Sequence, residues 1–148
     1  MAKSKNGWKK LPKIMQFCEM KYPEVMNRFA IKETETLKEN IVKRTPVDTG
    51  RLRAGFHSVQ PEYDGKKWVL AISNNVEYAE FVEYGHRWVR RGFKSIKLED
   101  YNPETDKTGF TKGRFMARDG LKETKDGMQS RYRSHIEAFF KMLEGVLK

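Results

Sequence analysis

The feature that most constrains this chain is a change of periodicity at residues 45–53, Thr-Pro-Val-Asp-Thr-Gly-Arg-Leu-Arg. Upstream, Met26, Ala30, Thr34, Leu37 and Ile41 recur at steps of four, four, three and four, one stripe of an amphipathic helix. Downstream, apolar residues recur at every second position, the pattern of strands. Pro46 disfavours helical geometry at Thr45, so the helix ends there. Asp48 can accept hydrogen bonds from the backbone just ahead, and Gly50 tolerates a positive φ. Asp48-Thr49-Gly50 therefore reads as a tight turn. Pro46, Asp48, Gly50, Arg51 and Arg53 form a structural corner between a long helix and a sheet.

The helix before the corner reads as residues 23–44, with Pro23 in its first turn. Its far side carries Lys32, Glu35, Lys38 and Glu39. Residues 14–21 have helical character. Residues 1–13 read as a basic arm, with Lys3, Lys5, Lys9, Lys10 and Lys13 and no acid. Trp8 is either an anchor on a neighbouring subunit or part of a mobile terminus. After the corner, a strand at 54–60, a turn at Asp64-Gly65 and a strand at 68–73 make a hairpin. Trp68, Leu70 and Ile72 point one way; Val69, Ala71 and Ser73 point the other. Both faces are apolar enough for one to meet the helices and the other a partner subunit or further strand.

Residues 76–85 read as a short helix closing on Gly85, with Tyr78, Phe81 and Val82 inward. Tyr78, Phe81 and Tyr84 are expected in the core. A third strand is expected at 86–93. Residues 94–112 read as an inserted polar loop, either a contact arm or slack chain. Gly120 and Gly127 predict a break in helix. From Met128 the stripe Met128, Tyr132, Ile136, Phe139, Leu143 and Val146 is the cleanest helical pattern in the chain. The fold class is α+β: a small antiparallel sheet packed against a long N-terminal helix and a C-terminal helix. Residues 14–148 form one domain behind the arm.

The core of such a domain is thin. Apolar residues make up 38% and charged residues 34% of the 148, against the usual ~45–50% and ~25%. The formal charge of +10 favours polyanions, an acidic protein surface, or simple solvation. Cys18 stands alone, so no internal disulfide forms and a reducing compartment fits; it reads as a small core residue. The N-terminal stretch lacks the roughly 7–15-residue apolar run of a secretory signal, and nothing reaches the ~20 apolar residues of a membrane span.

Catalytic chemistry has no constellation here. His57, His86 and His135 are dispersed, and no nucleophile elbow, phosphate loop or dinucleotide fingerprint occurs. Glu77, Glu80 and Glu83 spiral around a helix and read as a solvated acidic face rather than a metal site. No catalytic residue, metal ligand or cofactor is assigned. The basic cluster is more suggestive. Arg87, Arg90, Arg91, Lys94 and Lys97 are interleaved with Trp88 and Phe93, a mixture suited to phosphate contact and stacking. No recognition helix or zinc finger accompanies it. A small basic, non-sequence-specific nucleic-acid-binding protein is thus one function compatible with the residues.

Three blocks point elsewhere. The corner Thr45-Pro46-Val47-Asp48-Thr49-Gly50-Arg51-Leu52-Arg53 with Gly55-Phe56, then Glu77-Tyr78-Ala79 with Val82-Glu83-Tyr84-Gly85-His86, then Gly113-Arg114-Phe115-Met116, fall in order. Together they resemble the gene-product-ten-like minor tail components of tailed phages, the tail-completion or head–tail joining proteins, over roughly residues 25–148. The resemblance implies a non-enzymatic virion protein, assembled in the host cytoplasm. It implies a homo-oligomeric ring, expected to be a hexamer, at the head-proximal end of a tail. The ring would sit between neck or head-completion proteins and the tail tube or terminator, with DNA passing its lumen and no membrane involved. Trp8, Arg51, Arg53, Arg87, Trp88, Arg90, Arg91 and Lys94 are then candidate subunit-interface or lumen residues. Arg51 and Arg53 either close on Asp48 or project to a neighbour.

Overall fold

The computed structural model describes the backbone of residues 5–91, 94–95 and 107–147, and the side chains of residues 10–86 and 111–146. The first element is a helix, α1 (Lys5–Arg44), of 40 residues, about 60 Å long at ~1.5 Å per residue. Its stripe is the expected one: Ala30, Thr34, Leu37 and Ile41 are buried, joined by Val25 and Phe29. Its start is not. Pro12 and Pro23 both lie inside the helix, and residues 5–13 form its first turns where the sequence reads as an arm. Each proline forfeits a backbone hydrogen bond. Aromatic packing on the last helix offsets part of that loss around Pro23. Phe17 stacks on Phe139 with ring centroids 5.8 Å apart, and Tyr22 meets the same ring edge-on at 5.9 Å.

The last element, α4 (Met116–Leu147), is one helix of 32 residues, without the break expected between its glycines. Gly120 lies where α4 packs directly against the α1 backbone. A Cβ there would stand 2.7 Å from Ile41 Cγ1 and 2.9 Å from the Ile41 backbone nitrogen. Gly127 leaves room for the Arg131 side chain. Both glycines therefore serve contacts made by the helix, not its interruption. The helices run antiparallel, since partners descend on α4 as they ascend on α1: Phe17 with Phe139, Phe29 with Tyr132, Glu33 with Arg131, Asn40 with Thr124. Glu33 is fully buried and bound bidentately, Arg131 Nε to Oε1 at 2.6 Å and Nη2 to Oε2 at 2.7 Å. That bond holds the Arg131 guanidinium above its ordinary range, against the opposing pull of burial.

Between the helices come two small sheets. A hairpin of β1 (Phe56–Tyr63) and β2 (Trp68–Asn74) is antiparallel, with Phe56 opposite Asn74 and Tyr63 opposite Trp68. Its turn is the expected one: Asp64 Oδ1 accepts from the Lys66 and Lys67 amides at 2.9 and 2.8 Å, and Gly65 has φ 87°. A short helix, α3 (Ala79–Tyr84), leads into the second sheet. There β3 (Gly85–Arg91) lies between β4 (Lys94–Ser95) and β5 (Lys107–Lys112), all antiparallel. The strand expected at 86–93 is β3. The ends of the stretch read as a polar loop are strands, because β3 has two edges of backbone donors and acceptors to satisfy. The fold is α+β and mostly helical, with the hairpin packed on α1. The core gathers Leu37, Ile41, Leu52, Phe56, Val76 and Met116, where the end of α1, the hairpin and the start of α4 converge.

Candidate assembly surface

The corner is built from the end of α1 outward. The Thr45 amide still bonds the Ile41 and Val42 carbonyls at 3.1 Å, and its hydroxyl donates to the Ile41 carbonyl at 2.8 Å. Thr45 is thereby buried with its donors satisfied. Arg53 Nε donates to the Thr45 carbonyl at 2.9 Å, tying the far side of the corner to the helix end. Gly50 takes φ 80°, as a turn with a left-handed residue requires. A strand was expected to follow by residue 54. Instead one helical turn, α2 (Arg51–Ala54), intervenes, closed by the Ala54 amide on the Gly50 carbonyl at 3.0 Å. That turn drives Leu52 into the core at 5% exposure. Asn74 fastens it from the other side, donating to the Leu52 carbonyl at 3.0 Å while accepting from the Val76 amide at 2.9 Å.

The predicted corner residues separate here. Pro46 is exposed, Gly50 sits in the turn, and Arg53 binds the chain it caps. Asp48 and Arg51 are exposed, and neither side chain has a hydrogen bond or ion pair among the described residues. Trp8 lies within α1, Arg87, Trp88, Arg90 and Arg91 on β3, and Lys94 on β4. Their side chains, and Lys97 entirely, lie outside the described residues.

The expected aromatic core at α3 is overturned. Tyr78 is 39% exposed, Phe81 56% and Tyr84 64%. The residue that turns inward is Glu83, at 7%, read from sequence as one of three solvated acids. Its carboxylate accepts from the Ala117 amide at 2.9 Å and the Arg118 amide at 3.1 Å. The first turn of a helix leaves its amides without partners and carries partial positive charge, so a carboxylate belongs there. The backbone adds two bonds, Arg114 amide to Val82 carbonyl at 2.8 Å and Phe115 amide to Glu83 carbonyl at 3.0 Å. At ~100° per residue, an inward Glu83 swings Phe81 and Tyr84 outward. No local pattern marks Glu83, because its partners are more than thirty residues downstream. Glu33 had a signal: a charge beside Phe29, Ala30 and Leu37 on the apolar stripe.

The result is a ledge beside the corner. A cleft of about 230 Å³ separates the corner loop from α3, with Val47, Asp48, Leu52, Tyr78 and Val82 on its walls. Val47 is 60% exposed. Glu77 and Glu80 are exposed and, like Asp48, without hydrogen bond or ion pair among the described residues; Glu80 lines a separate recess with Phe56, Met116 and Ala117. The outward face of the hairpin adds Val59 opposite Ala71, with Val69 beyond. Such unburied apolar surface is suited to packing against another protein. Among the described residues no group of three His, Cys, Asp or Glu could hold a metal ion, and no helix is long and apolar enough to cross a membrane.

Comparison with known proteins bears on this region. Residues 21–85 match the model of the HK97-gp10-like family, described as "Bacteriophage HK97-gp10, putative tail-component". The match takes in most of α1, the corner, the hairpin and α3. No curated protein and no solved structure matches the chain.

Proposed function

Because residues 21–85 carry the pattern of the HK97-gp10-like phage tail components, we propose that this chain is a structural subunit of a ring at the head-proximal end of a phage or phage-like tail, joining tail to neck. The family match is the observation that carries the reading, and the geometry is consistent with it. Two long antiparallel helices give a rigid frame, while the aromatics of α3 and the outer hairpin face stay unburied. A subunit that completes its burial against neighbours has this distribution of apolar surface. The role is non-catalytic. The ring is a homo-oligomer, by resemblance a hexamer, assembled in the host cytoplasm and carried in the virion. Its neighbours are a neck or head-completion protein on one side and the tail tube or terminator on the other. A basic chain around a DNA-filled lumen needs no sequence specificity.

The test is made on particles. Electron microscopy with a label on this chain should place it at the head–tail junction, and particles made without it should accumulate as separate heads and tails. A label found only on the distal tail, or joined particles in its absence, overturns the reading.

A further inference from the structure

The second sheet has a charge pattern unlike the rest of the chain. Its strands carry Arg87, Arg90, Arg91, Lys94, Lys107 and Lys112 and no acid. Their register sets like charges against each other, Arg91 opposite Lys94 and Arg90 opposite Lys107. Like charges directly opposite in a sheet are destabilising, so the pattern costs the free chain stability. The acids nearest in sequence are Glu99, Asp100, Glu104 and Asp106, in the segment that joins β4 to β5. They do not cancel the excess: across residues 86–112, seven Lys and Arg stand against four acids. The root of the sheet adds to the surplus. Lys112 and Arg114 are exposed there, and neither side chain has a hydrogen bond or ion pair among the described residues. Outside itself the sheet packs mainly on α3, and His86 and Thr111, opposite each other at its root, are both exposed.

We propose that this sheet holds the phosphate backbone of duplex DNA, without regard to sequence. Duplex DNA carries one charge per ~1.7 Å of its axis, so surplus cations find phosphates in any register along it. Phosphates between the strands offset the repulsion of Arg90 with Lys107 and of Arg91 with Lys94. Three of the six strand cations are arginines, whose planar guanidinium matches phosphate oxygens two at a time. An acidic protein surface would instead have to present its carboxylates in one fixed register. Placing the sheet on the lumen side rests on the ring reading, which brings duplex DNA past every copy.

Salt dependence tests it, by fluorescence anisotropy of a labelled random-sequence duplex against the purified full chain. The parent should bind, with log affinity falling linearly in log salt. The double variant Arg90→Gln/Lys107→Gln should flatten that slope by about two and lose at least about tenfold in affinity at low salt. It should keep the helical circular dichroism of the parent and melt no lower, since a like-charge pair has been removed. The double variant Lys122→Gln/Lys125→Gln removes the same charge from exposed positions on α4 and should change the slope by less than about one. A parent that does not bind at low salt overturns the proposal, as does a sheet variant that binds like the parent, or an α4 variant that loses as much as the sheet variant. Competition by poly-glutamate as effective as by unlabelled duplex assigns the sheet to an acidic protein surface and overturns it too. Labelling of particles separates this from the ring reading. A chain at the junction that ignores duplex DNA leaves the ring and removes this contact. A chain that binds as stated but is absent from the junction removes the ring and leaves the contact.

Discussion

At the scale of single residues, two side chains hold positions that their chemistry alone would not suggest. Glu33 is fully buried and survives there because Arg131 meets it with two parallel bonds and anchors to the Thr124 carbonyl. A buried charge without such a partner is strongly destabilising. Gly120 is the other case. By helix propensity, Gly120→Ala should gain about 1 kcal/mol. The added methyl would instead press on the Ile41 backbone, and overpacking typically costs ~1–3 kcal/mol. We therefore expect a net loss of up to about 2 kcal/mol, read as a lower urea midpoint with unchanged slope. A stabilised variant would mean that the two helices can separate there at no cost.

At the scale of elements, the ends of α4 and of the hairpin are set by carboxylates. Glu83→Ala leaves the first turn of α4 without its acceptor, and we expect a loss of about 1–2 kcal/mol in urea denaturation. Hydrogen exchange should rise first at the Ala117 and Arg118 amides, whose bonds are removed. In the hairpin, backbone bonds from Lys67 and then Lys66 hold the Asp64 carboxyl below its ordinary range. A group with a depressed value in the folded state contributes stability above its unfolded value and loses it as pH falls through the folded one. Asp64→Asn should consequently lose less stability than the parent between about pH 4 and pH 2. Denaturant midpoints at the two ends of that window measure the difference; parallel acid limbs would remove Asp64 from the account.

At the scale of the whole molecule, the exposed aromatics separate folding from assembly. Phe81 and Tyr84 are 56% and 64% exposed, so Phe81→Ser with Tyr84→Ser should leave thermal stability of the monomer within about 0.5 kcal/mol. The same pair should abolish incorporation into particles, scored by mass spectrometry of purified virions. A variant that incorporates normally would show the ledge to be solvated in the particle as well.

Much of this architecture was legible in the chain. The stripe from Met26 to Ile41, the stop at Pro46, the left-handed Gly50 and the Asp64-Gly65 turn are decided by local sterics and periodicity, which act between residues a few positions apart. The family pattern lies in the same local elements. Other features were settled by partners distant in sequence. The aromatic rings of α3 carry an inward signature by spacing, yet unpaired amides at the start of α4 drew Glu83 inward in their place. Pro23 and Gly120 read as breaks, yet packing between α1 and α4 kept both helices whole. Local sequence determined where the chain turns. Burial, and the need to satisfy every donor within it, determined which faces were left for another subunit, because those costs are felt only once distant segments meet.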